Sequence, residues 1–211
     1  MSRRTNHRGR SARRGQGDRG SVIAELALVS PLLIIFALGI FEFGFIFRDT
    51  NVMANSLRSA ARVGAQSKNG SSADLSALQT LMTSTAKLQN ATVTKVIIYK
   101  STSANGAPPA NCLTATTSGA KPYGVSGSCS VYLGTDLTTA NLSTSNFNCP
   151  TLGASSWDAN WCPSSRQATV TTSLDYLGVY IEVKYNGTTG LLPGRTVTLK
   201  DRAISRIEPI V

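Results

Sequence analysis

The feature that most constrains this chain is a long apolar stretch near its start. From Ser21 to Phe47 it runs for 27 residues with only two charges, Glu25 and Glu42. As an α-helix it would be roughly 40 Å long, which is enough to cross a hydrocarbon core of about 30 Å with some tilt. Backbone polar groups must bond to one another in lipid, so a single crossing segment is helical. We therefore predict a transmembrane helix at residues 21–47.

Positive charge is concentrated ahead of this helix. Residues 1–20 hold seven arginines against one acid, Asp18, whereas the other residues carry 14 basic and 10 acidic groups. A basic block beside an apolar span stays in the cytoplasm. We expect residues 1–20 to be a disordered cytoplasmic leader of a single-pass protein in the cell membrane, with the C-terminal domain outside. Arginine clusters also bind phosphates, but their position here favours a topology signal, and we expect no nucleic-acid partner.

The cysteines agree with an extracytoplasmic domain. All four follow the apolar stretch, and an even count in an oxidising compartment predicts two disulfides. Three connectivities are possible. We prefer the one that closes two short loops, Cys112 with Cys129 and Cys149 with Cys162.

The remaining sequence predicts an α+β fold. Residues 48–90 continue the long helix as a stem and add a second helix, and residues 91–211 form a small antiparallel-sheet domain. Alternating or apolar runs predict strands, and the two long intervening loops need the disulfides to hold them. The predicted second helix is Asp74–Leu88, and the predicted strands are Ala91–Lys100, Cys129–Leu133, Asp175–Tyr185 and Arg195–Ile207.

No arrangement in the sequence indicates catalysis. The single histidine, His7, lies in the leader, which excludes a histidine-dependent triad in the domain. There is no phosphate-binding glycine loop and no metal-ligand spacing. We expect no enzyme activity, no cofactor and no metal.

The junction between leader and helix carries a recognisable order of residues, R-G-S-V-I-A-E-L. A basic leader ends in Gly20, a small residue, Ser21, follows, and Glu25 lies at the head of the apolar helix. This order resembles the prepilin signal of type IV pilins and pseudopilins. The resemblance implies cleavage between Gly20 and Ser21 by a membrane prepilin peptidase, and an assembly role for Glu25.

A longer resemblance covers residues 20–66. The run VIAELALVSPLLIIFALGIFEFG, the later Ala60-Ala61-Arg62 and a C-terminal SRIEP are similar to the TadE-like family of the tight-adherence, or Flp, pilus system. The resemblance implies a minor pilin or pseudopilin that supports pilus biogenesis and adhesion. Its implied partners are the membrane, the prepilin peptidase, other pilin subunits and the pilus assembly machinery, and the pilus itself is an alternative location.

One alternative function stays open. The helix would be a permanent anchor for an extracytoplasmic binding module, with Trp157 and Trp161 as candidate ligand contacts. We favour instead a role for both tryptophans in the core of their own loop. For Glu42 we expect a side chain that reaches the lipid headgroups.

Overall fold

The computed structural model describes residues 17–169, 173–189 and 196–210, with side chains from Gly20 onward. These residues belong to two units, one up to Phe41 and one from Glu42. The helix bounds are α1 Gly17–Gln66, α2 Ala73–Thr85, α3 Ala110–Leu113 and α4 Cys149–Leu152. The strand bounds are β1 Ala91–Ser101, β2 Tyr123–Val125, β3 Cys129–Leu133, β4 Tyr176–Asn186 and β5 Thr196–Arg206.

Helix α1 confirms the long N-terminal helix and its continuation as a stem. It runs through Pro31 without ending. It begins at Gly17, inside the segment for which we predicted a disordered leader, and the rest of that leader, residues 1–16, lies outside the described residues. The apolar composition that follows favours helix propagation, which explains why the helix includes the last leader residues.

The sheet confirms the predicted antiparallel α+β class. Its five strands pair antiparallel in the order β2-β3-β1-β4-β5, so the long strand β1 is central. The bounds of β3 agree with the sequence prediction, β1 ends one residue later than predicted, and β4 and β5 each differ by one residue at both ends. The short edge strand β2 was not predicted, because its three residues lie in a glycine- and proline-rich segment.

One sheet face packs against the helices. The second half of α1 and most of α2 contribute small or branched apolar residues, and alternate positions of the strands contribute the rest. Val179, Ile181 and Val183 alternate along β4 and share this face. The fully buried side chains of this core include Leu57, Leu78, Leu81, Leu177 and Ile181.

A bulge in β1 changes which residues share a face. The register shifts between Val93 and Lys95, so Val93 packs toward the helices, whereas Ile97 and Tyr99 belong to a second cluster on the opposite face. A regular strand would place Val93, Ile97 and Tyr99 on one face, and the bulge breaks that alternation. Gly178 is required opposite, because a Cβ there would lie 2.2 Å from the Tyr99 ring.

Candidate functional site

The residues of the predicted processing site lie on the open surface of α1. Gly20, Ser21 and Glu25 are exposed, and a Cβ added at Gly20 would meet nothing within 4 Å. The Ser21 hydroxyl donates a hydrogen bond of 3.2 Å to Glu25 Oε1. Residues four apart share one helix face. An α-amino group on Ser21 would therefore lie about one turn from the Glu25 carboxylate.

The apolar part of α1 is uncovered. Its large apolar side chains from Val22 to Phe41 are between 37% and 81% exposed. Among the described residues, one helix is long and apolar enough to cross a membrane, and it is this one. Its apolar segment has a mean hydropathy of 2.4. A segment of about 20 residues measures roughly 30 Å, which matches the hydrocarbon core of a bilayer.

Glu42 directly follows this exposed segment but is itself buried in the domain. Its side chain is 2% exposed, and its carboxylate accepts hydrogen bonds from the Tyr185 hydroxyl at 3.0 Å and from the backbone N–H groups of Thr188 at 3.1 Å and Thr189 at 2.9 Å. We call these four residues the Glu42 clamp. The prediction that Glu42 reaches lipid headgroups was wrong, because Tyr185 of β4 and the two threonines after this strand supply the donors that a charged carboxylate needs when it leaves water.

A second acid lies on the same side of α1. Asp49 follows Glu42 by seven residues, is 2% exposed, and neither of its carboxylate oxygens has a hydrogen-bond partner within the described part of the chain.

Burial, together with the hydrogen bond to Glu42, raises the pKa of the Tyr185 hydroxyl. Tyr185 therefore keeps its proton and remains a donor to Glu42 at neutral pH.

The cysteines pair as the sequence analysis preferred. Disulfides join Cys112 to Cys129 and Cys149 to Cys162. The first disulfide belongs to the core cluster on the second sheet face, since Cys112 and Cys129 are both fully buried there. The second closes a loop that we call the Cys149–Cys162 loop.

The two tryptophans of the Cys149–Cys162 loop belong to the core. Trp161 is 3% exposed, and Trp157 packs edge-on against Phe147 with ring centroids 5.6 Å apart. The ammonium of Lys121 lies 3.6 Å from the centroid of the Trp157 ring. Trp161 is part of the main core of the domain and the half-buried Trp157 packs against that core, so the two rings do not form a separate core of their own loop.

A buried ion pair attaches this loop to α2. Arg166 Nη2 lies 2.6 Å from Asp74 Oδ1, and both side chains are 0% exposed. The Tyr132 hydroxyl donates to Asp74 Oδ2 at 3.0 Å, and Arg166 Nη2 also donates to the Trp161 carbonyl at 2.9 Å. The guanidinium lies 4.1 Å from the centroid of the Trp161 ring. Arg166 thus connects α2 to the tryptophan end of the loop, and Asp74 connects α2 to β3.

A second acid near this pair is not neutralised. Asp158 is fully buried, accepts a hydrogen bond from the Ser156 hydroxyl, and has no partner for its other oxygen within the described ranges. Burial raises the pKa of the Asp158 carboxyl to about 6, and the nearby Asp74 charge adds to this effect. Burial also raises the pKa of Asp74, while Arg166 opposes that change. One guanidinium therefore faces two buried acids.

Sequence reasoning missed the Glu42 clamp and the Asp74–Arg166 pair. A signal for the clamp was present, because Glu42 and Asp49 lie at helical spacing ahead of the buried residues Met53 and Leu57 of α1. No comparable signal pointed to Asp74 or Arg166. Among the described residues, no group of three potential metal ligands occurs.

The apolar helix and the disulfide-closed α+β domain are together consistent with a single-pass membrane protein. Residues 20–62 match the family model of TadE-like proteins. The match confirms, for this segment, the resemblance to the TadE-like family seen in the sequence. It begins at Gly20 and ends within the stem part of α1. No curated protein and no solved structure matches the chain.

Proposed function

We propose that this protein is a minor pseudopilin of a tight-adherence pilus, anchored in the cell membrane by α1. The observation that carries the proposal is the TadE-like match over residues 20–62, which begins at the glycine where prepilin-type cleavage is expected. The exposed apolar surface of α1 supports it, because such a surface serves a membrane anchor first and a packing surface between subunits afterwards. The role is structural, in pilus biogenesis and adhesion, and not catalytic.

In this proposal the prepilin peptidase cuts after Gly20 and creates a positive α-amino group on Ser21. A Glu25 carboxylate of a neighbouring subunit then pairs with that amine in a low-dielectric environment. An unpaired carboxylate is costly there, and its attraction to a cation is strong. The exposed position of Ser21 and Glu25 on one face supports such a pairing.

The proposed orientation follows from the charge distribution. The arginine-rich leader stays in the cytoplasm, and the domain with its two disulfides lies outside, where thiols oxidise. Other pilin subunits and the pilus assembly machinery are the expected partners of α1.

A matched pair of substitutions tests the proposal. Glu25→Ala and, as a control in the same helix, Ser30→Ala are expressed in the native host. Membrane insertion is measured by carbonate extraction, and pili are measured by shearing and immunoblotting. We expect both variants to insert, whereas surface pili fall by about tenfold or more for Glu25→Ala alone. Normal piliation of an inserted Glu25→Ala variant would contradict the assembly role.

A further inference from the structure

The outer end of α1 carries two phenylalanines that the domain leaves bare. Phe43 is 74% exposed and Phe47 is 71% exposed. At about 100° per residue they lie roughly 100° and 140° around the helix from Glu42. Asp49 lies within about 20° of Glu42 and is buried with it. Over the same turns, α1 is therefore covered by the domain on one side and apolar and open on another.

The bare side is part of a longer apolar ridge. Phe36 and Ile40 precede Phe43 and Phe47 at helical spacing and are 63% and 72% exposed. The next position on this face is Asn51, which is exposed and donates its side-chain amide to the Phe47 carbonyl at 2.9 Å. The ridge thus changes from apolar to polar within one turn after Phe47.

The distances fit one layer of a bilayer. Phe47 follows Glu42 by five positions, which corresponds to about 7.5 Å along the helix axis. The headgroup layer on each side of the hydrocarbon core is roughly 5–7 Å thick. Tryptophan and tyrosine concentrate at this depth, and phenylalanine is found there on the apolar faces of helices that lie in the interface. Arg48 is exposed beside Phe47 and places a cation where lipid phosphates lie.

We propose that Phe43 and Phe47 lie in the interfacial layer of the outer leaflet, so that the Glu42 end of the domain rests on the lipid surface. The inference depends on the membrane anchoring in the proposed function. Lipid is the occupant, and not a second copy of the chain, because the ridge continues the apolar face of the span and ends at a cation and an amide. Among the described residues of this layer, from Glu42 to Phe47, Glu42 is the only acid. The hydrogen bonds of the Glu42 clamp keep its carboxylate covered by protein and away from lipid.

Depth-dependent fluorescence quenching tests the proposal with the full chain in phosphatidylcholine vesicles. Four variants each carry one added tryptophan: Leu33→Trp in the span, Phe43→Trp, Phe47→Trp, and Asn51→Trp as the control one turn farther out. The wild-type protein gives the background from its native tryptophans. Lipids brominated near the headgroup or near the bilayer centre serve as quenchers.

We expect shallow bromines to quench Phe43→Trp and Phe47→Trp about twofold more than Asn51→Trp. Deep bromines should quench Leu33→Trp most. The quenching should not change when the protein is diluted tenfold in lipid. Quenching of Phe47→Trp that equals the Asn51→Trp control overturns the inference. Quenching that rises on dilution also overturns it, since a second copy would then cover the ridge. Loss of Leu33→Trp quenching would instead contradict the membrane anchoring itself.

Discussion

The buried Asp74–Arg166 pair allows a stability prediction that can be worked through from the structure. Arg166→Met removes the guanidinium but keeps an apolar stem of similar length. It leaves Asp74 and Asp158 buried without a countercharge, and the Trp161 carbonyl loses a donor. Removing one partner of a buried ion pair costs about 3–5 kcal/mol. That is a large share of the roughly 5–15 kcal/mol that stabilises an ordinary domain.

Urea unfolding of the detergent-solubilised protein, followed by tryptophan fluorescence, measures this loss. With a slope of about 2 kcal/mol per molar urea, the unfolding midpoint of Arg166→Met should fall by roughly 2 M. Adding Asp74→Asn to Arg166→Met removes one of the orphaned charges and should restore part of the loss.

A surface pair provides the matched control for this measurement. Lys100 lies 2.9 Å from Asp175, but its side chain is 49% exposed. Lys100→Met should therefore cost at most about 1 kcal/mol, because solvent screens an exposed pair. If Arg166→Met costs no more than Lys100→Met, the buried ion pair does not stabilise the attachment of the loop to the domain.

Three further predictions concern the clamp, the unneutralised acid and the second disulfide. Glu42→Ala leaves three donors without their acceptor and should lower the free energy of unfolding by about 3 kcal/mol, measured by urea unfolding; a change below about 0.5 kcal/mol would contradict the clamp. The raised pKa of Asp158 means that the folded state binds its proton more tightly, so this carboxyl should destabilise the fold as pH rises from about 4 to about 6. Asp158→Asn should therefore gain stability over wild type across that range by on the order of 3 kcal/mol, and equal pH profiles would refute the assignment. Replacing both Cys149 and Cys162 by serine should cost about 3 kcal/mol through the freed loop, and an unchanged thermal midpoint would contradict a stabilising role.

Local pattern was sufficient to predict most of the architecture. The length and composition of residues 21–47 predicted the apolar part of α1, and the alternation of Val179, Ile181 and Val183 is enough to place them on one face of β4. The disulfide pairing also agreed with the preference for short loops. These features depend on neighbours in the sequence, so periodicity and spacing are enough to find them.

The features that the sequence did not predict share a different cause. The donors to Glu42 come from Tyr185 and from two threonines after β4, far along the chain, and Arg166 is 92 residues from Asp74 in the sequence. The bulge between Val93 and Lys95 is likewise a property of strand pairing and not of β1 alone. Contacts of this kind depend on tertiary packing, which a single sequence does not display.

The processing step is the central claim, and the N-terminus of the protein in its native membrane tests it most directly. Intact mass and N-terminal peptide mapping would compare wild type with Gly20→Trp and with Gly17→Ala as the control. We expect wild type and Gly17→Ala to begin at Ser21, and Gly20→Trp to retain the leader. A wild-type chain that keeps residues 2–20 in cells expressing the prepilin peptidase would contradict the account.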